Sequence, residues 1–429
     1  MILELKIKNF LSFKEEVTFS FEATRDKKYE DFQVVKVAPK TRILRLAIVY
    51  GANASGKSNL IEVFEFLRHF WFNKPENKDI STGAVPFLLD KNTPLEPSEF
   101  SLVFYIDGIK YAYTLELDKK KVISEKLFIY PGTQPALIFD RVLENEISQI
   151  TFNSNRVKIS QIAIDEISVK CLVNASVFAA YNQVNVAIPE LDAMIKWIKS
   201  HYNLPCIEAD SELVNYAENA ISKNQETKEY ILNFLRRADF NISNVNTEII
   251  KENVTDETIS FLINEVKDFP DDEKERLKKE KTIKLTKTEF EHCVKNIEGK
   301  KEFYKLEKKY QSQGTLRTFG LSGVIYKTIE ANAFLAIDEI ESSLHPKLIE
   351  FIIEDFLKHK GQSQLLLTTH YDGLLEEDDL LRKDSIWFTN KKEDGSTELY
   401  SLADFKGVNR ISSLQKAYKY GKFGATPNI

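Results

Sequence analysis

The sequence has few of the features that mark a disulfide scaffold, a membrane protein or a secreted chain. Its 429 residues include only three cysteines, Cys171, Cys206 and Cys293. They are far apart and odd in number, which excludes a disulfide framework and a four-cysteine zinc site and fits a reducing compartment. No apolar run approaches the ~18 residues that span a bilayer, and the first residues lack the charged-then-apolar order of a signal peptide. We therefore expect a cytoplasmic protein that does not enter a membrane.

Neither sign of charge dominates the composition. The chain carries 59 basic and 65 acidic side chains, which gives a formal charge of −6. This balance argues against a generally basic surface for nucleic acid, although it leaves a local basic groove open. Hydrophobic residues make up 43% of the chain and aromatic residues 11%, enough for a large core, which excludes pervasive disorder. The length allows one large domain or two to three small ones.

Residues 51–58 (GANASGKS) match the P-loop pattern G-x4-G-K-[ST], or Walker A, at every required position. The glycines let the backbone fold into a concave nest whose N–H groups point at phosphate oxygens. Lys57 is expected to reach the β- and γ-phosphates of ATP, and the Ser58 hydroxyl to bind Mg²⁺. The apolar run 44–50 before the loop and the amphipathic helix after it are the expected flanks. The residues predicted to bind ATP are Gly51, Asn53, Ala54, Ser55, Gly56, Lys57, Ser58 and Asn59.

A second part of a nucleotide site follows an apolar segment in the last third of the chain. Residues 333–337 (AFLAI) predict a buried strand, and Asp338 and Glu339 come directly after it, as in a Walker B motif. In P-loop enzymes an Asp at this place holds the Mg²⁺ shell, so we predict that Asp338 is a metal ligand together with Ser58. Glu339 is placed to polarise the attacking water as a general base. Together with the P-loop, this segment predicts Mg²⁺-assisted hydrolysis of ATP.

The remaining segments predict a mixture of strands and helices. Asp107-Gly108 is a strong hairpin turn. The segments with strand patterns around and after it, which predict an antiparallel sheet, are 102–106, 109–117, 122–130 and 136–139. Residues 174–240 have mostly helical patterns, and the charged run 265–281 is expected to be a solvated helix or linker.

Three further segments complete an order of motifs that can be compared with that of known ATPases. Ser312-Gln313-Gly314 precedes a helical stretch that leads into the acidic strand, residues 341–345 (ESSLH) follow that strand, and His370 ends the apolar strand 365–369. This order resembles that of the ABC-type ATPases, including their SMC and RecF branch. The resemblance implies an α/β P-loop fold of ABC-ATPase type with an antiparallel β subdomain and an inserted helical lid.

The same resemblance implies roles for these segments. Ser312 and Gly314 would belong to the signature loop, which contacts the γ-phosphate of ATP held by a second subunit; Ser-Gln-Gly stands here where Leu-Ser-Gly-Gly is common. Residues 341–345 take the place of the D-loop, and His370 takes that of the switch histidine, a catalytic residue beside Glu339. Gln183 is the candidate Q-loop residue, which would sense the metal and the γ-phosphate. The alternative for Gln183 is an ordinary glutamine between a helix and a loop.

Other segments are similar to one group of stand-alone ABC-type ATPases from bacterial phage-defence and abortive-infection loci, the RloA-like and PARIS-type AriA proteins. These segments are residues 7–13 (IKNFLSF), 123–127 (ISEKL), the stretch around Gln183, residues 313–315 (QGT), the strand with Asp338 and Glu339 running into 344–346, and the tail 417–427 (AYKYGKFGATP). The resemblance implies a slow, regulatory ATPase that controls a toxin or nuclease encoded nearby, with a phage protein as the trigger. For the tail, a loose chain end is the alternative.

An ATPase of this kind has an incomplete site in one subunit. The resemblance therefore implies a head-to-tail homodimer or a higher homo-oligomer, with two sandwiched ATP molecules and Mg²⁺ at each. ATP would join the subunits and hydrolysis would loosen them. Two alternatives stay open: a RecF-like or SMC-like ATPase that binds DNA in repair or recombination, and a binding module whose ATP site is purely structural. The charge balance does not indicate DNA binding.

The motifs divide the chain into three predicted parts. Residues 1–173 form an N-terminal ATP-binding lobe with the P-loop and the antiparallel β insert. Residues 174–302 form a helical lid. Residues 303–429 form a C-terminal lobe with the signature loop, the acidic strand and His370.

Overall fold

The computed structural model describes residues 1–202, 212–238, 240–265, 271–377 and 379–426. Cys206, part of the charged run (266–270) and Pro427 of the tail lie outside the described residues. The chain forms two units: unit 1 comprises Met1–Ala209 and Lys327–Ile429, and unit 2 comprises Asp210–Tyr326. Each unit has its own hydrophobic core.

Strands and helices alternate irregularly along the chain. The strands are β1 (Ile2–Lys8), β2 (Val17–Ser20), β3 (Val34–Ala38), β4 (Thr41–Leu44), β5 (Leu46–Gly51), β6 (Ser98–Ile106), β7 (Ile109–Leu117), β8 (Val122–Tyr130), β9 (Ala136–Glu144), β10 (Ile147–Phe152), β11 (Ile242–Asn253), β12 (Thr282–Lys295), β13 (Lys301–Glu307), β14 (Phe334–Ile337), β15 (Gln364–Thr369), β16 (Ile386–Lys391) and β17 (Thr397–Ser401). The α-helices are α1 (Glu30–Gln33), α2 (Lys57–Phe70), α3 (Gln161–Lys170), α4 (Val177–Tyr181), α5 (Pro189–Trp197), α6 (Glu212–Lys223), α7 (Gln225–Arg237), α8 (Asp256–Glu265), α9 (Asp271–Glu280), α10 (Gln313–Glu330), α11 (Pro346–Lys358) and α12 (Leu414–Lys419). Among the described residues, no helix has the length and apolar character needed to cross a membrane.

Unit 1 contains a seven-stranded antiparallel sheet with the order β10-β9-β8-β7-β6-β1-β2. Asp107 and Gly108 join β6 to β7 with φ angles of 47° and 79°. These are the left-handed values of a two-residue type I′ hairpin turn, which Asp-Gly adopts readily. The predicted antiparallel β subdomain is confirmed, and the N-terminal strands β1 and β2 belong to it.

The second large sheet of unit 1 has the order β14-β15-β5-β16-β17. Its strands are parallel except for β17, which runs antiparallel to β16. β5, β14 and β15 are buried along their whole length, as expected for strands covered on both faces. Because the carboxyl ends of parallel strands meet at one edge of a sheet, the P-loop, Asp338 and His370 lie at the same edge. The predicted α/β P-loop arrangement is therefore confirmed.

Two predicted helices flank the motifs of this sheet. α2 begins directly after the P-loop and buries one face in the main core, with Leu60, Ile61, Val63, Phe64 and Leu67. α11 begins at Pro346, where the missing N–H costs no hydrogen bond. His345 caps this helix, because its Nδ1 accepts a hydrogen bond of 3.3 Å from the Lys347 amide.

Segment 123–127 contributes a buried carboxylate to the antiparallel sheet. Glu125 Oε1 accepts a hydrogen bond of 2.6 Å from the Ser176 hydroxyl, and Oε2 accepts one of 2.9 Å from the Val177 amide. Arg141, which is equally buried, lies 3.4 Å from Glu125 Oε2. The pair holds the start of α4 against the sheet, because a buried charge requires both a counter-ion and hydrogen bonds.

Unit 2 combines helices with a three-stranded antiparallel sheet, β11-β12-β13. The sheet joins the core of the unit through Phe290, whose ring lies 5.3 Å from that of Phe319. Within the segment 174–302, which we expected to be helical, α6 to α9 agree with the prediction, but β11 and β12 are strands instead. Their Thr, Val and Ile residues favour strands, while the many exposed Lys and Glu residues hide the alternation in the sequence.

The boundaries of the two units differ from the three predicted parts. α4 and α5 belong to unit 1 instead of a lid, because their side chains join the core of unit 1. Trp197, for example, stacks on Phe104 of the antiparallel sheet with 4.4 Å between ring centres. Residues 303–326, which we assigned to the C-terminal lobe, belong to unit 2.

Cys171 provides a test of the packing in unit 1. Its side chain is buried, and burial raises the pKa of its thiol to about 11. Because the thiolate is the reactive form, we expect iodoacetamide at pH 8 to modify Cys171 far more slowly than the partly exposed Cys293. Peptide mass spectrometry over time measures both rates, and urea should make them similar. Equal rates in the native protein would contradict the described packing.

Candidate active site

The P-loop forms a tight turn between β5 and α2. Ala54 has a φ of 57° and Gly56 a φ of 103°, so the chain enters the left-handed region twice. A Cβ atom at Gly51 would lie 2.3 Å from Thr389 Oγ1, and one at Gly56 would lie 2.2 Å from Thr397 Oγ1. The space around the loop therefore requires both glycines of the motif. Loops of this kind form the backbone nests that bind anions.

The hairpin β16–β17 supports the P-loop through hydroxyl groups. Thr397 Oγ1 lies 2.8 Å from the carbonyl oxygen of Ser55 and 2.7 Å from Ser12 Oγ. Because a carbonyl can only accept, the Thr397 hydroxyl donates to Ser55 and accepts from Ser12. Ser12 also accepts a hydrogen bond of 2.6 Å from the Asn59 side chain, and the hydroxyls of Ser55 and Thr389 are 2.7 Å apart. These bonds fix the loop from residues that are distant in the sequence.

The Lys57 ammonium lies among acceptors at the carboxyl ends of the strands. Its Nζ donates to the carbonyls of Gly51 (3.0 Å) and Ala52 (3.1 Å) and lies 3.0 Å from Nε2 of His370. Burial lowers the pKa of Lys57, and nearby carboxylates oppose this shift. Phosphate oxygens would therefore replace acceptors that Lys57 already has.

His370 lies beside a positive charge in this arrangement. The Lys57 ammonium, which has only donors, is 3.0 Å from Nε2 and 3.5 Å from Nδ1 of the His370 ring. Burial lowers the pKa of His370, and the positive charge of Lys57 lowers it further. The same Nε2 lies 3.9 Å from Glu339 Oε1. The structure thus places His370 between the P-loop lysine and the predicted general base.

Asp338 and Glu339 follow β14 and share a partner on β15. The Thr368 hydroxyl donates to Asp338 Oδ1 and accepts a hydrogen bond of 2.9 Å from the backbone N–H of Glu339. Glu339 has a φ of 45°, a left-handed backbone conformation that is uncommon for a residue other than glycine. Strained backbone of this kind clusters at active sites, where the surrounding structure holds it in place.

Glu341, which lies within the predicted D-loop segment, is a positioning residue. Its Oε1 accepts a hydrogen bond of 2.5 Å from the backbone N–H of His370. Its Oε2 accepts one of 2.8 Å from the Thr369 hydroxyl. Both bonds fix the chain at the end of β15, so Glu341 holds His370 in place beside Lys57.

A cleft of about 570 Å³ lies at this edge of the sheet, a volume that suits a small-molecule ligand such as a nucleotide. Its polar lining includes P-loop residues 53–59, Glu339 and His370. Its apolar lining includes Leu11 and segment 85–89. The structure thus brings together the predicted ATP-binding residues of the P-loop and both predicted catalytic residues.

The oxygen ligands that Mg²⁺ prefers are present at this edge of the sheet. Ser58 is exposed at the start of α2 and lines the cleft, and Asp338 is a half-buried carboxylate. Hydroxyl and carboxylate oxygens suit this hard ion, which also keeps several waters and binds phosphates. The residues present therefore fit Mg²⁺, with Ser58 and Asp338 as the side chains that would hold it.

Gln183 does not line this cleft. The side-chain amide of Gln183 donates a hydrogen bond of 3.0 Å to the Ala179 carbonyl. The backbone carbonyl of Gln183 accepts a hydrogen bond of 2.6 Å from the Lys170 ammonium. These contacts are those of an ordinary glutamine after a short helix. Its roles toward the metal and the γ-phosphate stay predictions.

Ser312 and Gly314 lie at the start of α10, in unit 2. Ser312 caps the helix, because its hydroxyl accepts a hydrogen bond of 3.1 Å from the Thr315 amide. Ser312 is exposed, and the N-terminus of a helix suits an anion. A contact with ATP of a second subunit stays a prediction.

An α/β fold with a P-loop after a buried strand, an acidic strand end and a strand-end histidine defines the class of this chain as a P-loop ATPase. Residues 46–376 match the family described as AAA domain, putative AbiEii toxin, Type IV TA system, and the chain belongs to this family. The matched range includes the P-loop, Glu339 and His370. Comparison with curated proteins gives no significant match.

Solved structures with a similar fold include heads of SMC proteins. The SMC head domain from Thermotoga maritima is 13% identical, with 93% of this chain and 98% of that chain covered and a TM-score of 0.39. An SMC head bound to the C-terminal winged-helix domain of ScpA is 14% identical, with 97% and 99% covered and a TM-score of 0.40. An SMC head with an extended coiled coil, bound to the C-terminal domain of ScpA from Pyrococcus furiosus, is 15% identical, with 98% of each chain covered and a TM-score of 0.37.

Proposed function

We propose that the protein is a slow, regulatory ATPase that acts as a nucleotide-dependent switch in bacterial anti-phage defence and controls a partner toxin or nuclease. The observation that carries this proposal is the match to a family whose description joins an AAA domain to a putative toxin and a toxin–antitoxin system. The cleft with Lys57, Glu339 and His370 supports the ATPase part. We place the protein in the cytoplasm, because that compartment supplies both ATP and Mg²⁺.

The P-loop binds the phosphates of ATP in this proposal. Backbone N–H groups of the loop point at phosphate oxygens, and Lys57 exchanges its carbonyl acceptors for the β- and γ-phosphates. Ser58 and Asp338 hold Mg²⁺, which neutralises phosphate charge when it is bound. The hydroxyl contacts of Thr397 and Ser12 keep the loop in its binding conformation, so little ordering is needed on binding.

Glu339 acts as the general base for hydrolysis. The oxygen of a water forms a bond to the γ-phosphorus while the bond from phosphorus to the bridging oxygen of ADP breaks. The proton of that water passes to the Glu339 carboxylate. Glu341 holds His370 beside Lys57, where its ring responds to the presence of the γ-phosphate.

The switch works between two copies of the chain. The P-loop belongs to unit 1, whereas Ser312 and Gly314 belong to unit 2 and lie at an exposed helix start. We propose that this helix start meets the γ-phosphate of ATP bound by a second copy, in a head-to-tail homodimer or a higher oligomer. Hydrolysis removes the shared phosphate and weakens the contact, which changes the surface offered to the effector.

Purification together with the product of the neighbouring gene tests this proposal. The tagged chain is isolated with ATP, with ADP and without nucleotide, and the mass of the complex is measured by light scattering. We expect the amount of bound partner to depend on the nucleotide, and Lys57→Ala to remove this dependence. Phage plating on cells that carry both genes should lose protection with the same variant. Partner binding that ignores nucleotide and Lys57 would contradict the switch.

The same preparation separates the proposal from the two alternatives. ATP-stimulated binding of duplex DNA that weakens steeply with salt would favour a RecF-like clamp. A chain that binds ATP but shows no Lys57-dependent turnover would be a binding module with a structural nucleotide.

A further inference from the structure

The hairpin β16–β17 carries a lysine, Lys391, on the same face as the two threonines that contact the P-loop. Thr389 and Thr397 both contact the loop, through Ser55. Lys391 pairs with Thr397 across the hairpin and lies two residues after Thr389. Side chains alternate between the faces of a strand, and directly opposite residues share a face. Lys391 therefore lies on the sheet face that carries both threonines.

Lys391 lines the nucleotide cleft together with Glu339 and His370. Its side chain is exposed, and it forms no ion pair within the described ranges of the chain. Lys14, by contrast, is paired with Asp90 and lies within ion-pair distance of Asp394. The ammonium of Lys391 is thus a cation of the cleft that is not neutralised by a carboxylate.

The position of Lys391 along the cleft indicates which part of a nucleotide it would meet. A second cleft of about 1030 Å³ adjoins the first, and the residues that line both are Asn53, His370 and Lys391. Segment 85–89 lines only the first cleft. His370 lies 3.0 Å from Nζ of Lys57, which reaches the β- and γ-phosphates in the proposed function. The end shared by both clefts, where Lys391 also lies, therefore suits the terminal phosphate.

The charges at this edge make a second cation useful. Lys57 already has two carbonyl acceptors and His370 as partners, and the carboxylates of Asp338 and Glu339 repel an incoming triphosphate. We propose that Lys391 is a second phosphate-binding cation, which contacts the γ-phosphate of ATP. This inference rests on the proposed function, because it requires that the cleft binds ATP.

Equilibrium binding of two nucleotides tests the role of Lys391. The probes are the slowly hydrolysed analogue AMPPNP, which carries a third phosphorus group, and ADP, which does not. Lys391→Met keeps most of the length of the side chain and removes its charge. We expect about tenfold weaker binding of AMPPNP, which corresponds to losing one charge-assisted hydrogen bond, and little change for ADP. Lys391→Arg should restore the preference for AMPPNP.

Lys392→Met is the matched control, because Lys392 is an exposed lysine at the next position that lines only the adjoining cleft and not the nucleotide cleft. We expect it to bind both nucleotides like the wild type. Unchanged AMPPNP affinity in Lys391→Met, or an equal loss for AMPPNP and ADP, would overturn the inference. An equal effect of Lys392→Met would also overturn the inference, because the loss of affinity would then reflect the overall positive charge near the cleft and not a contact of Lys391. A wild-type chain that binds neither nucleotide would instead refute the proposed function itself.

Discussion

Lys57→Ala is expected to abolish measurable ATP binding, with a loss of about 100-fold or more in affinity. Lys57 is the buried cation at the point where the P-loop, Glu339 and His370 meet. A charge-assisted hydrogen bond contributes about 1.5–3 kcal/mol, and Lys57 would make such bonds to two phosphates. At about 1.4 kcal/mol for each tenfold change, losing both exceeds a factor of 100.

Titration calorimetry with ATP and Mg²⁺ measures this loss. Lys40→Ala is a suitable control, because Lys40 is exposed and does not line the cleft. Because Lys57 is buried, Lys57→Met is included to keep most of the side-chain volume, and the thermal unfolding midpoint shows whether each variant is folded. ATP affinity within threefold of the wild type in a folded Lys57→Met variant would remove Lys57 from the site.

The parts of the site that were predictable are those with a local pattern. The spacing of Gly51, Gly56 and Lys57 is set by one turn of the chain, and the positive φ of Gly56 and the contact at Gly51 show why these residue types are needed. Asp338 and Glu339 were predictable because an apolar strand ends directly before them. His370 was found in the same way, at the end of β15.

The residues of the site that the sequence pattern did not indicate act across the sheet. Thr389 and Thr397 reach the P-loop only because β16 pairs with β5 and β17 with β16. Glu341 reaches His370 because β14 and β15 are neighbours. Threonine and glutamate are common residues, so without the strand order nothing in the sequence distinguishes these from surface positions. Ser12 lies in segment 7–13, which resembles the corresponding segment of phage-defence ATPases, but its partner Thr397 could not be inferred.

Unit 2 was the least predictable part of the fold. Much of β12 is exposed or only partly covered, and charged residues interrupt its apolar positions. The signal used to recognise a strand is the burial of one face, and within the described part of β12 only Thr288 and Phe290 are buried.

Glu339→Gln is expected to lower the rate of ATP hydrolysis about 100- to 1000-fold while ATP binding remains close to that of the wild type. The amide has almost the same shape as the carboxylate but cannot accept the proton of the attacking water, and a positioned general base contributes about 10²- to 10⁴-fold. The contacts of Lys57 and the P-loop are unchanged, so ATP stays bound. In the proposed switch the ATP-bound homodimer should therefore accumulate.

Phosphate release and light scattering with ATP measure the two parts of this prediction separately. Glu144→Gln is the control, because Glu144 is an exposed carboxylate at the end of β9 and does not line the cleft. Hydrolysis by Glu339→Gln at the wild-type rate would show that Glu339 is not the base. If ATP is trapped but no dimer forms, Glu339 keeps its role as the general base. The head-to-tail pairing would then be wrong, because the bound γ-phosphate would have no contact with a second copy.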